Sequence, residues 1–141
     1  DEGEVLKNDF LQRITIISER LEEVLKIDSQ RIASVKERLR NAVNELKEKT
    51  DENRFEQELI YYLEKYDITE EKVRLENHLN YFKEAIHSDD SNGKKLGFIT
   101  QEIGREINTI GSKSNFAPMQ QLVVQMKDEL EKIKEQALNV L

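Results

Sequence analysis

Apolar residues recur every three or four positions over the first 26 residues, with polar and charged residues between them. This spacing predicts an amphipathic helix that packs lengthwise on another helix. Asp28-Ser29 interrupts the pattern and offers capping side chains for a second helix to about Lys49. Two long helices with a short connection are typical of an antiparallel hairpin, which we expect over residues 1–50. The apolar positions of the first helix are Leu6, Phe10, Ile14, Ile17, Leu21, Val24 and Leu25.

The remainder of the chain, residues 51–141, predicts about four shorter helices. Its clearest loop is the polar, turn-rich segment at residues 88–93. The predicted fold is therefore all-α: a long antiparallel helical hairpin followed by a bundle of about four shorter helices. The chain begins with Asp1, without an initiator methionine and inside a helical pattern, so we expect a fragment whose upstream portion has been removed.

The segment from Leu96 to Lys113 combines an apolar stripe with a polar face. The stripe is formed by Leu96, Ile99, Ile103, Ile107 and Ile110, and the polar face by Glu102, Glu106, Thr109 and Lys113, with Arg105 beside it. Gly97, Gly104 and Gly111 follow one another at intervals of seven residues. Because a glycine costs about 1 kcal/mol relative to alanine inside a helix, this spacing predicts a close approach of another backbone or a space left open.

Composition narrows the class of protein. Of the 141 residues, 37% are hydrophobic and 36% are charged, which is typical of long, solvent-facing helices. The net charge of −7 means that binding to nucleic acid would need a local basic patch, a metal or another domain. The absence of cysteine excludes thiolate metal sites and disulfides. No apolar run reaches the length of a membrane span, so we expect a soluble protein without a membrane partner, and the absence of cysteine fits a cytosolic one.

Glu71, Arg74 and His78 stand at positions i, i+3 and i+7 of one predicted helix and project from one side. An acid, a fixed cation and an imidazole on one face can bind a metal, position a phosphate or transfer a proton near neutral pH. The same spacing fits a surface glutamate–arginine pair beside a half-buried histidine. The pattern alone leaves both interpretations open.

Glu102 and Glu106 lie one helical turn apart and can share a hard divalent cation such as Mg²⁺ or Mn²⁺. Arg105 and Lys113 would then neutralise a phosphate whose hydrolysis the metal assists. Glu58 would add a carboxylate if its helix packs alongside. The alternative is a solvated polar face with glutamate–lysine spacing.

Tyr61, Tyr62 and Tyr66 also have two interpretations. Aromatic side chains can stack on nucleic-acid bases, but aromatic residues at helical spacing more often belong to a hydrophobic core. The sequence does not decide between them.

Several spaced motifs follow one another along the chain. They are Asn53-Arg54-Phe55-Glu56-Gln57-Glu58, Asp67-Ile68-Thr69-Glu70-Glu71 with Arg74-Leu75 and His78, Gly93-Lys94-Lys95-Leu96 with Gln101-Glu102, Arg105-Glu106-Ile107-Asn108-Thr109-Ile110-Gly111-Ser112-Lys113, and Lys127-Asp128-Glu129-Leu130-Glu131-Lys132-Ile133. In this order they resemble the C-terminal region of the bacterial YicC/YloC family, weakly before about residue 53 and closely after it.

This resemblance implies a cytoplasmic protein of a family long labelled stress-induced, whose members include divalent-metal-dependent endoribonucleases that assemble as hexamers. It also implies an RNA substrate, a Mn²⁺ or Mg²⁺ cofactor and a missing N-terminal domain. Two departures are visible: members of the family typically have Asp where this chain has Gly97 and Asn where it has Gly104. Both departures remove a polar side chain from the helix with the predicted site.

The leading hypothesis is metal-assisted cleavage of RNA. The predicted metal ligands are Glu58, Glu71, His78, Glu102 and Glu106. The predicted catalytic residues are His78, Glu102, Arg105, Glu106 and Lys113, and the predicted phosphate contacts are Arg74, Arg105, Asn108 and Lys113. The hypothesis requires that the two helices lie side by side, so that His78 and Glu102 face one cleft. The alternative is a non-catalytic helical scaffold or regulator that binds RNA or a protein partner.

Overall fold

A computed structural model describes residues 2–45, 52–88 and 93–140, and every regular element in these ranges is a helix. The helices are α1 (Glu2–Glu45), α2 (Glu52–Lys65), α3 (Thr69–His87), α4 (Gly93–Lys113) and α5 (Ala117–Val140). The all-α class and the four shorter helices are confirmed. Within the described ranges, none of the helices is apolar over a length that would cross a bilayer.

The break predicted at Asp28-Ser29 is wrong, because α1 continues through it as one helix of 44 residues. Asp28 does not cap a new helix; its Oδ1 accepts a hydrogen bond from Nε of Arg31 at 2.7 Å. Asp and Ser each cost only a few tenths of a kcal/mol inside a helix. The buried face continues past them to Val35, and this burial outweighs so small a local preference.

Helix α1 ends at Glu45 and α2 begins at Glu52, close to the helix boundary that the sequence predicted at residues 49–51. Arg40 on α1 places its guanidinium 3.9 Å from the ring centroid of Phe55 on α2. Its Nη1 donates to Oε1 of Glu52 at 2.7 Å. The predicted domain boundary near residue 50 lies outside the described residues.

The hydrophobic core is formed by four helices: the first half of α1 with α3, α4 and α5. The rings of Phe10 on α1 and Phe82 on α3 meet edge to face, with centroids 5.8 Å apart. Arg13 on α1 donates to Glu129 on α5 at 3.0 Å, so α1 and α5 are joined at their surface as well. The fully buried large side chains are Ile14, Ile17, Leu21, Leu75, Leu79, Phe82, Ile86, Ile103, Ile107, Ile110, Met119 and Met126.

The three spaced glycines of α4 differ in their surroundings. A Cβ on Gly104 would lie 3.2 Å from Cδ2 of Leu130, and one on Gly111 would lie 3.1 Å from Cγ1 of Val123. These two glycines allow α4 to approach the side chains of α5 closely. A Cβ on Gly97 would meet nothing within 4 Å. This glycine therefore matches the second possibility predicted from the sequence, a space left open beside the helix.

Candidate functional site

Helices α3 and α4 lie side by side and antiparallel. The end of α4 meets the start of α3, where Nζ of Lys113 donates to Oε1 of Glu71 at 2.7 Å. The other ends meet where Nζ of Lys95 lies 5.2 Å from the ring centroid of Tyr81. This arrangement gathers the polar residues of both helices along one seam.

Two buried carboxylates lie at the centre of this seam. Glu71 on α3 is 3% exposed and Glu106 on α4 is 4% exposed. In each side chain Oε1 has a cationic partner, whereas Oε2 is buried without any hydrogen-bond partner among the described residues. We call Glu71 and Glu106 the carboxylate pair. Buried polar atoms are seldom left unpaired, so these two oxygens are the candidates for binding a ligand.

Arg74 connects the two members of the carboxylate pair. Its Nε donates to Oε1 of Glu106 at 3.0 Å, and its Nη2 lies 3.8 Å from Oε1 of Glu71. Its Nη1 donates to Oε2 of the exposed Glu70 at 3.1 Å. The hydrogen bond to Glu106, followed by the one to Glu70, raises the pKa of Arg74 above its ordinary value, so this cation stays charged at every physiological pH.

Lys113 is the second cation of the site, and its position is set from three sides. Besides Glu71, its Nζ binds the backbone carbonyl of Asp67 at 2.9 Å. Its own carbonyl accepts a hydrogen bond from Nη1 of Arg31 on α1 at 2.9 Å. Arg31 is 3% exposed and is held by Asp28. The last turn of α4 is thereby tied to α1 and α3 together.

Arg31 was not predicted from the sequence, although a signal was present. It follows Val24 by seven residues and precedes Val35 by four, so it stands on the buried face of α1. A charged residue on an apolar stripe needs a buried partner. Here that partner is Asp28 together with the end of α4.

His78 and Glu102 stand one step further along the same seam. The contacts of Arg74 with Glu106 and of Tyr81 with Lys95 fix the antiparallel register, which places position 78 opposite position 102. His78 is half-buried and Glu102 is exposed. That these two side chains face one cleft stays a prediction.

Three predicted site residues lie apart from the carboxylate pair. Glu58 is exposed on α2, and Arg105 is exposed on α4. Asn108 is also exposed and follows Glu106 by two residues, a rotation of about 200° that turns it to the other side of the helix. One further prediction needs correction: Glu106 does not share a solvent-facing polar face with Glu102, because α3 covers it.

Within the described residues, no group of three or more His, Cys, Asp or Glu side chains is arranged to hold a metal ion. The carboxylate pair alone offers two buried, unpartnered oxygens. Mg²⁺ commonly binds through one or two carboxylates and completes its shell with water and substrate phosphate oxygens. The carboxylate pair fits that mode of binding, whereas a cage made only of protein ligands does not fit.

The fold and the site together define an all-helical protein in which two buried carboxylates meet partly exposed basic side chains along a seam between two antiparallel helices. Residues 24–141 match the family model described as "Endoribonuclease YicC-like, C-terminal", and the chain belongs to this family.

Two relatives extend the comparison. A protein of Clostridioides difficile (strain 630) named "Probable endoribonuclease YicC" is 41% identical over 143 residues, which cover 99% of this chain and 49% of the relative. A protein of Haemophilus influenzae (strain ATCC 51907 / DSM 11121 / KW20 / Rd) with the same name is 33% identical over 142 residues, which cover 99% of this chain and 48% of the relative. The chain thus spans about half the length of the curated relatives it matches.

Proposed function

We propose that the intact protein is a divalent-metal-dependent endoribonuclease and that the seam between α3 and α4 is part of its catalytic site. The observation that carries this proposal is the carboxylate pair, whose two buried Oε2 atoms have no partner in the described part of the chain although cations hold both Oε1 atoms. The names of the relatives support an RNA substrate. In this proposal Glu71 and Glu106 hold Mg²⁺ or Mn²⁺.

The metal would supply Lewis acidity toward a phosphate oxygen and would make a bound water more acidic. The protein side chains supply charge and position. Two carboxylates and two cations, Arg74 and Lys113, add to zero formal charge in the seam. A divalent cation and a phosphodiester can therefore enter together with less electrostatic penalty than either alone.

Arg74 and Lys113 are the residues that would hold the scissile phosphate. A guanidinium presents several N–H donors in a plane, which matches the oxygens of a phosphate. Lys113 adds a point charge at the end of α4, where Arg31 restrains its backbone. Their present bonds to the carboxylate pair keep both cations close to the place where a phosphate would bind.

His78 is the proposed proton-transfer residue, because an imidazole can accept or donate a proton near neutral pH. Glu102, opposite it in the helix register, would orient the imidazole or add an outer metal ligand. Arg105 and Asn108 are proposed as phosphate contacts outside the carboxylate pair, and Glu58 as a ligand contributed across a subunit contact. A cytoplasmic homo-oligomer belongs to the same proposal, and it would cover exposed apolar side chains such as Phe98.

The proposal is tested with the intact protein, an RNA substrate and Mn²⁺ or Mg²⁺. Glu71→Gln and Glu106→Gln keep the shape of the side chain but remove the charge that binds the metal. We expect each variant to lower kcat by about 100-fold or more. Glu76→Gln, an exposed glutamate on the same α3 helix, is the matched control and should leave kcat unchanged. Equal rates for all three variants would exclude the carboxylate pair from catalysis.

The scaffold alternative is favoured by one observation: both cations already pair with carboxylates, as in a purely structural ion network. The thermal midpoint separates the two functions without an activity assay, because a ligand that binds only the folded state must stabilise it. We expect millimolar Mn²⁺ to raise Tm by about 2 °C or more in the unmodified protein. The increase should disappear in Glu106→Gln and persist in Glu76→Gln.

A further inference from the structure

A groove of about 430 Å³ lies on the surface where α1, α2 and the end of α4 come together. Its walls are formed by Arg38 with Val35, Leu39 and Ala42 on α1, Tyr62 on α2, Tyr66 directly after α2, Ser112 and Lys113 on α4, and Asn115 in the turn before α5. We call it the tyrosine groove. It is open to solvent along one side, and it was not predicted from the sequence.

The two tyrosines do not belong to the hydrophobic core of the described residues. Their ring centroids are 4.5 Å apart with the planes tilted by 41°, and both side chains are half-buried. Of the two interpretations open for Tyr62 and Tyr66, the core is thus the one that the structure does not favour. Half-exposed aromatic faces in a groove can stack on bases, and each stacked base is worth about 1–3 kcal/mol.

The groove is basic, although the chain as a whole carries a charge of −7. Arg38 and Lys113 line it, and none of its described lining residues is acidic. Ser112 and Asn115 add hydroxyl and amide groups that can hydrogen-bond the edge of a base. Cations for the backbone, aromatic rings for the bases and amides for their edges together match a single-stranded nucleic acid.

The groove and the carboxylate pair share Lys113. Its side chain lines the groove while its Nζ lies 2.7 Å from Oε1 of Glu71. A strand whose phosphate binds beside the carboxylate pair would therefore continue directly into the groove. The groove is placed to hold the nucleotide next to the scissile phosphate.

We propose that the tyrosine groove binds one or two unpaired nucleotides of the RNA strand, with a base stacked on Tyr62 and Tyr66 and the backbone bound by Arg38 and Lys113. The inference rests on the proposed function for its substrate class. It adds a subsite that selects single-stranded over duplex RNA, because a paired base presents no free face for stacking.

The test measures binding without cleavage. The anisotropy of a 5′-fluorescein-labelled oligouridylate reports its Kd for the intact protein in EDTA, beside the same strand with abasic positions. Tyr62→Leu and Tyr66→Leu should each raise the Kd of the oligouridylate about five-fold or more, and the abasic strand should bind comparably weakly to every variant. Tyr62→Phe and Tyr66→Phe keep the ring, so they should bind within about two-fold of the unmodified protein.

The matched control for the tyrosines is Tyr61→Leu, since Tyr61 is 60% exposed on α2 and does not line the groove.

A second measurement tests the contact between Arg38 and the RNA backbone. Arg38→Gln should reduce the slope of log Kd against log salt concentration by about 0.7, as expected for one phosphate contact to a single strand. Lys36→Gln, an exposed cation of the same helix, should not change this slope. Helicity by circular dichroism confirms that each variant is folded.

The outcomes separate this inference from the proposed function. If the leucine variants bind like the unmodified protein while Glu106→Gln abolishes cutting, the groove is not a nucleotide site and the nuclease proposal stands. If the leucine variants bind weakly while no metal supports cutting, the groove stands and the nuclease proposal falls. If the protein does not bind the oligouridylate in EDTA, the groove is not a nucleotide site, and the cleavage assay with Mn²⁺ decides the nuclease proposal separately.

Discussion

Burying Glu71 and Glu106 is unfavourable unless each charge is compensated, because removing a carboxylate from water costs several kcal/mol. Lys113 and Arg74 provide that compensation at 2.7 and 3.0 Å. The two Oε2 atoms stay buried and unpaired among residues 2–45, 52–88 and 93–140, an energetic cost that a purely structural ion pair would not need. At the scale of single residues, this incomplete pairing is the strongest sign of a ligand site.

Lys113→Met tests how strongly Glu71 depends on its partner. Without Lys113, the buried Glu71 keeps only the more distant Nη2 of Arg74, at 3.8 Å, so we expect the free energy of unfolding to fall by about 2 kcal/mol. The double variant Glu71→Leu/Lys113→Met removes both charges and should regain more than half of that loss. Urea denaturation measures each value. Lys127→Met, an exposed lysine on α5, is the control, expected within about 0.5 kcal/mol of the unmodified protein.

An additive loss in the double variant would contradict the description of Glu71 and Lys113 as a coupled buried pair.

At the scale of elements, α1 determines how the site is assembled. Its first half lies in the core with α3, α4 and α5, and its second half carries Arg31 and Arg38 to the end of α4. A hairpin with a break at Asp28-Ser29 would separate these two regions. A single continuous helix holds them in a fixed relation, because an α-helix advances about 1.5 Å per residue along one axis.

Ser29→Pro distinguishes a continuous helix from the hairpin. Ser29 is exposed, so its side chain contributes little and the substitution reports on the backbone. Proline inside a helix removes a hydrogen bond and clashes with the preceding turn, and we expect a loss of about 3 kcal/mol in the free energy of unfolding. In a hairpin the same proline would stand in the first turn of the second helix and would be tolerated.

Ser29→Ala, which leaves the backbone unrestrained, should be neutral or slightly stabilising. Thermal or urea denaturation of both variants decides the question, and a stable Ser29→Pro protein would restore the hairpin.

At the scale of the whole molecule, Arg31 on α1 is connected to α4 and α3 through Lys113. It binds the carbonyl of Lys113 on α4, whose ammonium group binds Glu71 on α3. The tyrosine groove and the carboxylate pair therefore share a support that lies in a third element, α1. A substitution of Arg31 on α1 can therefore alter the position of Lys113 beside the carboxylate pair.

Arg31→Met tests this connection. Loss of a charge-assisted hydrogen bond in a buried position should lower the free energy of unfolding by about 2 kcal/mol. RNA cleavage by the folded fraction should fall as well, because Lys113 is less restrained. Arg31→Lys should recover only part of the stability and part of the cleavage rate. An ammonium group does not reproduce the planar guanidinium, which donates to Asp28 and to the Lys113 carbonyl at the same time.

Arg20→Met is the control on the same helix, because its pair with Glu23 is a more exposed i,i+3 contact. That variant should change stability by less than about 1 kcal/mol. Equal losses in the free energy of unfolding for Arg20→Met and Arg31→Met would show that the hydrogen bond between Arg31 and Lys113 contributes no more than an exposed ion pair.

The candidate site was predictable in part. Helical spacing placed Glu71, Arg74 and His78 on one side of α3, and α4 and its apolar stripe were also read correctly. The spacing did not distinguish Glu102 from Glu106, which share one face of α4. Only the packing of α3 separates them, because it covers Glu106 and leaves Glu102 in solvent. The buried role of Arg31 and the tyrosine groove could not be predicted, because both depend on where α1 lies relative to the end of α4.

The amino-acid sequence by itself determined the all-α class, the apolar stripes and membership of the family, since periodicity and motif order are properties of a single chain segment. The tertiary structure alone decided that α1 runs unbroken and that Glu71 and Glu106 are buried with one oxygen each unpaired. It also decided that Tyr62 and Tyr66 line a basic groove instead of the core. The physical reason is that burial and ion pairing depend on which helices meet, and the chain brings together residues as distant as Arg31 and Lys113 only on folding.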